Sequence, residues 1–207
     1  ATAAVGAWAA NVIKIGYTAP FTGSAAEFGT NGWRGVQIAL DEINAKGVMV
    51  GGEKYSVEIV RYDSICTPTD GAANVRKLAM QDRVVAILGD HCSSVCNAIA
   101  PLCEQFQIPG ITIECASDNV TNPGHDFYFR MRPSVGLMAP LFTPVLVEKF
   151  KPKKAAYIVV NDDYGLGLAS AVAENLIKAG VTSIDPEAYE RGTTDFTVYM
   201  AKVKQSG

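Results

Sequence analysis

Histidine and tryptophan are scarce in this chain, and positive charge is not in excess. Its 207 residues include two histidines, His91 and His125. Neither joins the cysteines at the spacing a zinc site requires, so no metal site is expected. Lys and Arg number 18 against 21 Asp and Glu, a formal net charge of −3. No basic stripe follows a phosphate backbone, which excludes nucleic acid as an expected partner. Lys149, Lys151, Lys153 and Lys154 cluster at a predicted helix end, where the helix dipole favours cations. No apolar run reaches the roughly 18 residues of a membrane span. The chain also lacks a Gly-x-Ser-x-Gly elbow, a Walker loop and a His-Glu-x-x-His helix. The acids Asp162-Asp163 have no adjacent base and read as a solvated loop. Gly165-x-Gly167 is a partial dinucleotide fingerprint without its third glycine, and helix–strand packing explains it better. The expectation is a binding protein with no catalytic machinery and no cofactor.

Apolar residues make up 48% of the sequence and charged residues 19%, enough for a sizeable core. From Val12 onward strand and helix patterns alternate. Val12 to Thr18 reads as a strand, followed by the turn-rich Pro20-Phe21-Thr22-Gly23-Ser24. A helix is predicted from Gly32 to Ala45, with Val36, Leu40 and Ile43 on one face and a stop near Gly47. Gly51-Gly52 marks a turn before a strand from Tyr55 to Tyr62. Thr67-Pro68-Thr69-Asp70 is a capping-box-like start for a helix running to about Gln81. Val84 to Leu88 is a short β-branched run, Ser94 opens a helix, and Gly110 to Ile113 makes a fourth strand. This β-α-β-α-β-α-β order implies a parallel sheet with right-handed crossovers and helices on both faces.

The sequence Gly89-Asp90-His91-Cys92-Ser93-Ser94 lies between the carboxyl end of a strand and the amino end of a helix. Unpaired backbone N–H groups there favour an anion, and the serine hydroxyls add donors. Open α/β sheets bind ligands at this edge. No charged side chain is seen to join these donors. Cys66 occupies the matching place after the preceding strand, which suggests a disulfide to Cys92 bracing the edge. Two such cysteines hint at an oxidising compartment. Of the five cysteines, Cys96 and Cys103 lie about 10 Å apart along one helix, too far to bridge each other. Cys103 and Cys115 are read as free and buried.

Beyond the polar loop from Ser117 to Asp126, Tyr128 to Met131 forms a short strand and Pro133 breaks the chain. Helices are predicted at Ser134–Phe150, Leu166–Ala179 and Asp195–Lys204, with strands at Ala155–Val160 and Ser183–Tyr189. Arg132-Pro133 reads as a crossing, giving a first α/β lobe over 11–132 and the beginning of a second over 133–207. That second lobe would leave a sheet edge open, so the chain is expected to be C-terminally incomplete. Residues 1–10, ending in Ala7-Trp8-Ala9, read either as the remnant of a secretory signal or as a flexible terminus.

Several segments in order carry a resemblance to one family. They are Ile15-Gly16 through Pro20-x-Thr22-Gly23, Asp41 through Gly47, Tyr62-Asp63-x-x-Cys66 and Gly89-x-x-Cys92-Ser93-Ser94. Ile108-Pro109-x-Ile111-Thr112, Tyr164-Gly165-x-Gly167-Leu168-Ala169 and Thr194-Asp195-Phe196 continue the series. The chain resembles the periplasmic substrate-binding proteins of ABC transporters for branched-chain amino acids, the Leu/Ile/Val-binding type. The resemblance implies a type I periplasmic binding fold of two lobes with the ligand in the cleft. It implies a periplasmic or otherwise extracytoplasmic monomer with a membrane permease as partner and a small amino acid or related carboxylate or amide as ligand. A ligand-sensing receptor or regulatory domain on the same fold is the alternative.

By the same resemblance Ser93 holds the ligand carboxylate, with Ser94 beside it; a plain helix cap is the other reading of Ser93. Tyr164 matches an aromatic that closes over the ligand, and Phe28 a position that is often Tyr. The loop after the fourth strand departs from the family pattern: its proline is absent, Ala116 replaces the usual threonine, and Ser117 could supply that hydroxyl. Glu114 in this loop could accept an ammonium or amide N–H, repel an anion, or stand solvated. The family also carries a bridge at Cys66 and Cys92.

Overall fold

In a computed structural model that describes residues 11–206, the chain before residue 131 builds one six-stranded sheet. The reading of residues 1–10 lies outside the described residues. In chain order the elements are β1 (Asn11–Ala19), α1 (Ala26–Lys46), β2 (Val48–Val50), β3 (Glu53–Asp63), α2 (Pro68–Lys77) and β4 (Ala86–Leu88). They continue with α3 (Ser93–Phe106), β5 (Gly110–Thr112) and β6 (Tyr128–Arg130). The sheet order is β2-β3-β1-β4-β5-β6. Every neighbouring pair is parallel except β2 with β3. Helices α1, α2 and α3 carry the crossovers from β1 to β5, as the alternating pattern predicts, while β5 and β6 are joined by a loop with one 3-10 turn at Asp118–Val120; the two-residue turn Gly51-Gly52 makes the antiparallel hairpin, an added strand that the pattern did not show.

Local chemistry fixes the helix starts. Thr67 caps α2, its hydroxyl oxygen accepting the Asp70 amide at 3.3 Å, with Pro68 in the first turn. The helix becomes a π turn over Leu78–Asp82 before ending at the left-handed Arg83. Helix α1 begins at Ala26, six residues before its predicted start. Asp63 ties the loop before it to the end of β3 by accepting the Phe21 amide at 2.8 Å, the Thr22 hydroxyl at 2.6 Å and the Ile65 amide at 2.9 Å. These bonds hold the Asp63 carboxyl below the ordinary carboxylate range despite some burial that opposes them.

The core lies where α2 and α3 cover the sheet. Val75, Leu78, Ile87, Val95 and Ile99 are fully buried there. Gly71 permits this approach, because a Cβ at that position would lie 2.2 Å from Val95 Cγ1. Tyr128 is also buried and donates its hydroxyl to the Gly89 carbonyl at 2.7 Å.

Beyond β6 come α4 (Val135–Phe150), β7 (Lys154–Ala155), β8 (Ile158–Val160) and α5 (Asp163–Lys178). The chain continues through β9 (Thr182–Ser183), β10 (Glu187–Tyr189) and α6 (Thr197–Gln205). The predicted strands over Ala155–Val160 and Ser183–Tyr189 are each split, and the halves form two small parallel sheets, β7 with β9 and β8 with β10. Pro186 has no N–H for a continuous ladder. Pairing resumes at Glu187, whose amide donates to the Tyr157 carbonyl at 2.9 Å.

Two disulfides staple the carboxyl edge of the large sheet. Cys66 is bonded to Cys92, with Cα atoms 5.6 Å apart. Cys96 is bonded to Cys115, with Cα atoms 6.4 Å apart. This second bridge corrects the reading of Cys115 as a free thiol; only Cys103 remains free, and it is buried. One helical turn carries Cys96 past Cys92 and sets it against the loop after β5. Each bridge closes a loop of 26 or 19 residues. The chain-entropy model assigns such a loop about 3 kcal/mol. Replacing Cys96 and Cys115 together by alanine should therefore lower the urea-unfolding free energy by about that amount, while an unchanged midpoint would contradict a structural role.

Candidate functional site

Loops from both parts of the chain enclose a cavity of about 300 Å³ at the carboxyl edge of the six-stranded sheet. That volume is at the small end of the range for metabolite sites. Phe28 from α1, His91, Cys92 and Ser93 at the start of α3, and Glu114 after β5 form one side. Arg132 follows β6, and Val160, Asp162, Tyr164, Tyr189 and Arg191 close the other side. Four residues singled out from the sequence, Phe28, Ser93, Glu114 and Tyr164, thus meet in one cavity.

Ser93 is not the cap of its helix. The N-cap of α3 is Cys92, with no side-chain cap bond, so the first-turn amides are left without a side-chain acceptor. The Ser93 hydroxyl oxygen instead accepts the amides of Ala116 and Ser117, each at 3.2 Å. With its oxygen occupied as an acceptor, the hydroxyl proton is left to donate. Ser93 is buried, and it faces a cavity at the positive end of a 14-residue helix.

The other expected positions take different places. The Ser94 hydroxyl accepts the Asp163 amide at 3.2 Å and lines a neighbouring groove. Ala116 is wholly buried. Ser117 is buried as well, lines a separate cleft beside Asp118 and Gly136, and gives its carbonyl to Arg130 at 2.7 Å. Its hydroxyl does not replace the absent threonine in the main cavity. Asp162 and Asp163 are not a solvated pair. Asp162 caps α5 by accepting the Gly165 amide at 2.8 Å and forms an ion pair with Arg191, while Asp163 accepts from Asn97 at 2.7 Å.

Charged side chains line the cavity: Glu114, which the sequence reading placed at the cleft, and Arg132, Asp162 and Arg191, which it did not. Arg132 Nη1 donates to the Glu114 carbonyl at 3.1 Å and stands 3.5 Å from Glu114 Oε2. Arg191 pairs with Asp162, so the four formal charges cancel. His91 Nε2 lies 2.9 Å from the Tyr17 hydroxyl. Burial holds the Tyr17 hydroxyl well above its ordinary value and lowers the His91 ring, so at neutral pH the bond joins two uncharged groups.

Below this floor Asp90 is completely buried, and its Oδ1 accepts the amides of His91 at 2.6 Å and Cys92 at 3.0 Å. Burial pushes its carboxyl up to about 6.

The comparisons with known proteins agree with this architecture. The sequence profile described as periplasmic binding protein matches residues 12–207. The chain belongs to the periplasmic binding protein family. An amino acid binding protein of Pseudomonas aeruginosa is 34% identical over 195 residues, covering 94% of this chain and 51% of that protein. The leucine binding protein structure from Thermotoga maritima superimposes with a TM-score of 0.84 at 24% identity, covering 93% of this chain and 53% of its own. A solute binding protein from R. palustris in complex with 4-hydroxybenzoate gives a TM-score of 0.80 at 24% identity, covering 95% and 52%. The fold is therefore the type I periplasmic binding fold, and the chain spans about half the length of the relatives it matches.

The buried Asp90 makes stability depend on pH in a defined direction. The folded carboxyl keeps its proton up to about pH 6, whereas its ordinary value is 3.8. Between these values the native state binds the extra proton, so this contribution is full below about 3.8 and is lost as pH rises through 6. Integrated over the interval it amounts to about 3 kcal/mol. Asp90→Asn keeps an acceptor for the two amides and should be more stable than the parent at pH 7 but not at pH 4. Urea unfolding of both proteins at the two pH values checks this, and an equal difference at both would contradict it.

Proposed function

We propose that this chain is the ligand-capturing part of an extracytoplasmic solute-binding protein of an ABC transporter, holding a small amino acid or related carboxylate or amide between its lobes. The observation that carries the reading is the Ser93 hydroxyl beside uncapped α3 amides, set in a small cavity with Tyr164 on the opposite wall. Neutral donors at a helix start hold a carboxylate without a fixed counter-charge, so shape and the remaining wall decide selectivity. Two disulfides at the same edge support an oxidising, extracytoplasmic setting. The family supports capture and delivery to a membrane permease, with no chemical conversion of the ligand.

Closure has its own contacts in this reading. Asn97 and Ser94 on α3 bond to Asp163 at the start of α5, across the cleft from them. These bonds favour the closed arrangement, and apparent affinity scales with the fraction of protein that is closed.

A thermal-shift series with small carboxylates and amino acids tests the reading, since a ligand that binds only the native state raises the melting temperature by mass action. Ser93→Ala should weaken carboxylate binding by about 1.5–3 kcal/mol. It should also lower the melting temperature of the free protein, because two loop amides lose their acceptor. An unchanged dissociation constant by calorimetry would reduce Ser93 to a loop brace. Asn97→Ala touches no wall of the cavity, yet it should weaken binding about fivefold by removing one interlobe bond of about 1 kcal/mol. Small-angle scattering should show the variant more open, and identical profiles with identical affinity would rule the latch out.

A further inference from the structure

Glu114 and Arg132 face the cavity as an open pair. Their nearest charged atoms are 3.5 Å apart, against the roughly 2.7–2.9 Å of a closed charge-assisted bond. Arg132 Nη2 has only the Met138 sulfur, at 3.7 Å. Among the described residues the guanidinium therefore keeps N–H donors, and Glu114 keeps a carboxylate oxygen, without oxygen or nitrogen partners. Both side chains are partly open, at 31% and 43% of their full exposure. The second ion pair of the cavity differs. Asp162 is in contact with Arg191 and also holds the Gly165 amide, so its acceptors are engaged.

A ligand group placed against the open pair meets a donor and an acceptor side by side. An aliphatic branch would desolvate both charges and return no hydrogen bond. A second carboxylate would suit Arg132 and be repelled by Glu114, and an ammonium would meet the reverse. A carboxamide carries a carbonyl acceptor and N–H donors on one neutral planar group, and it satisfies both residues at once. We infer that the ligand is a small carboxylate bearing a carboxamide, of the asparagine or glutamine kind, with Glu114 and Arg132 reading the amide as specificity-determining residues. This rests on the carboxylate-binding reading of Ser93, which places the other end of the ligand.

Asparagine and leucine supply the test, because their side chains have nearly the same outline and differ in polarity. Calorimetry on the full chain with asparagine, glutamine and leucine should show the better amide binding at least about tenfold tighter than leucine, since a site built for hydrogen bonds rejects the analogue that lacks them. Arg132→Met and Glu114→Ala should each bring that ratio toward one. Should Arg132→Met fail to fold through loss of its bond to the Glu114 carbonyl, Glu114→Ala carries the test at a partly exposed side chain. Leucine binding more tightly than both amides would overturn the inference and leave carboxylate capture standing. A preference for the amides that neither variant moves would also overturn it. No binding of any of the three while another small carboxylate binds would overturn the inference alone, and no binding of any small carboxylate or amino acid would overturn both readings.

Discussion

Two loop amides, those of Ala116 and Ser117, share the hydroxyl oxygen of Ser93, and the shape of the cavity depends on that sharing. The bond pair fixes the turn after β5 against the first turn of α3. It also sets the Ser93 hydroxyl proton and the unengaged helix amides toward the cleft. The Cys96–Cys115 bridge repeats the same connection covalently, and Cys66–Cys92 ties the neighbouring loop to the same helix start. Three loops are thereby held at one edge before any ligand arrives. Such preorganisation lowers the ordering cost of binding.

Electrostatics around this floor are balanced. Asp90 lies buried beneath it with an elevated carboxyl value, and its Oδ1 orients the amides of His91 and Cys92. The walls carry two arginines and two carboxylates, one pair closed around the cap of α5 and one pair open to the cavity. A cavity with no net charge from its walls leaves the helix terminus as the element that favours an anion. In the proposed reading the open pair discriminates at the other end of the ligand.

Much of this architecture is legible in the sequence where the determining contacts are local. The strand–helix alternation and the placement of Ser93 at the start of α3 follow from periodicity, and the Thr67-Pro68 helix start follows from capping. The family resemblance supplied Phe28 and Tyr164, which the structure sets on the cavity wall. Distant contacts were not legible. Asp162 and Asp163 look solvated until Arg191 and Asn97 are brought beside them across 29 and 66 positions. Arg132 reads only as a boundary next to Pro133, because its partner Glu114 is reached through the β5–β6 pairing. Cys115 pairs with Cys96 only once α3 is folded alongside β5, a geometry that cysteine spacing does not encode. The split of the later strands at Pro186 had a visible local signal, since proline interrupts a ladder.

Backbone amide chemical shifts followed during titration with a small carboxylate test the central claim most directly. If the start of α3 receives the carboxylate, the largest saturable changes fall on the amides of Ser93, Ser94 and Val95, with smaller ones at Ala116 and Ser117. Saturable changes confined to other surfaces, such as the groove between α4 and α5 around Thr143 and Asn175, with the α3 amides unmoved, would contradict it.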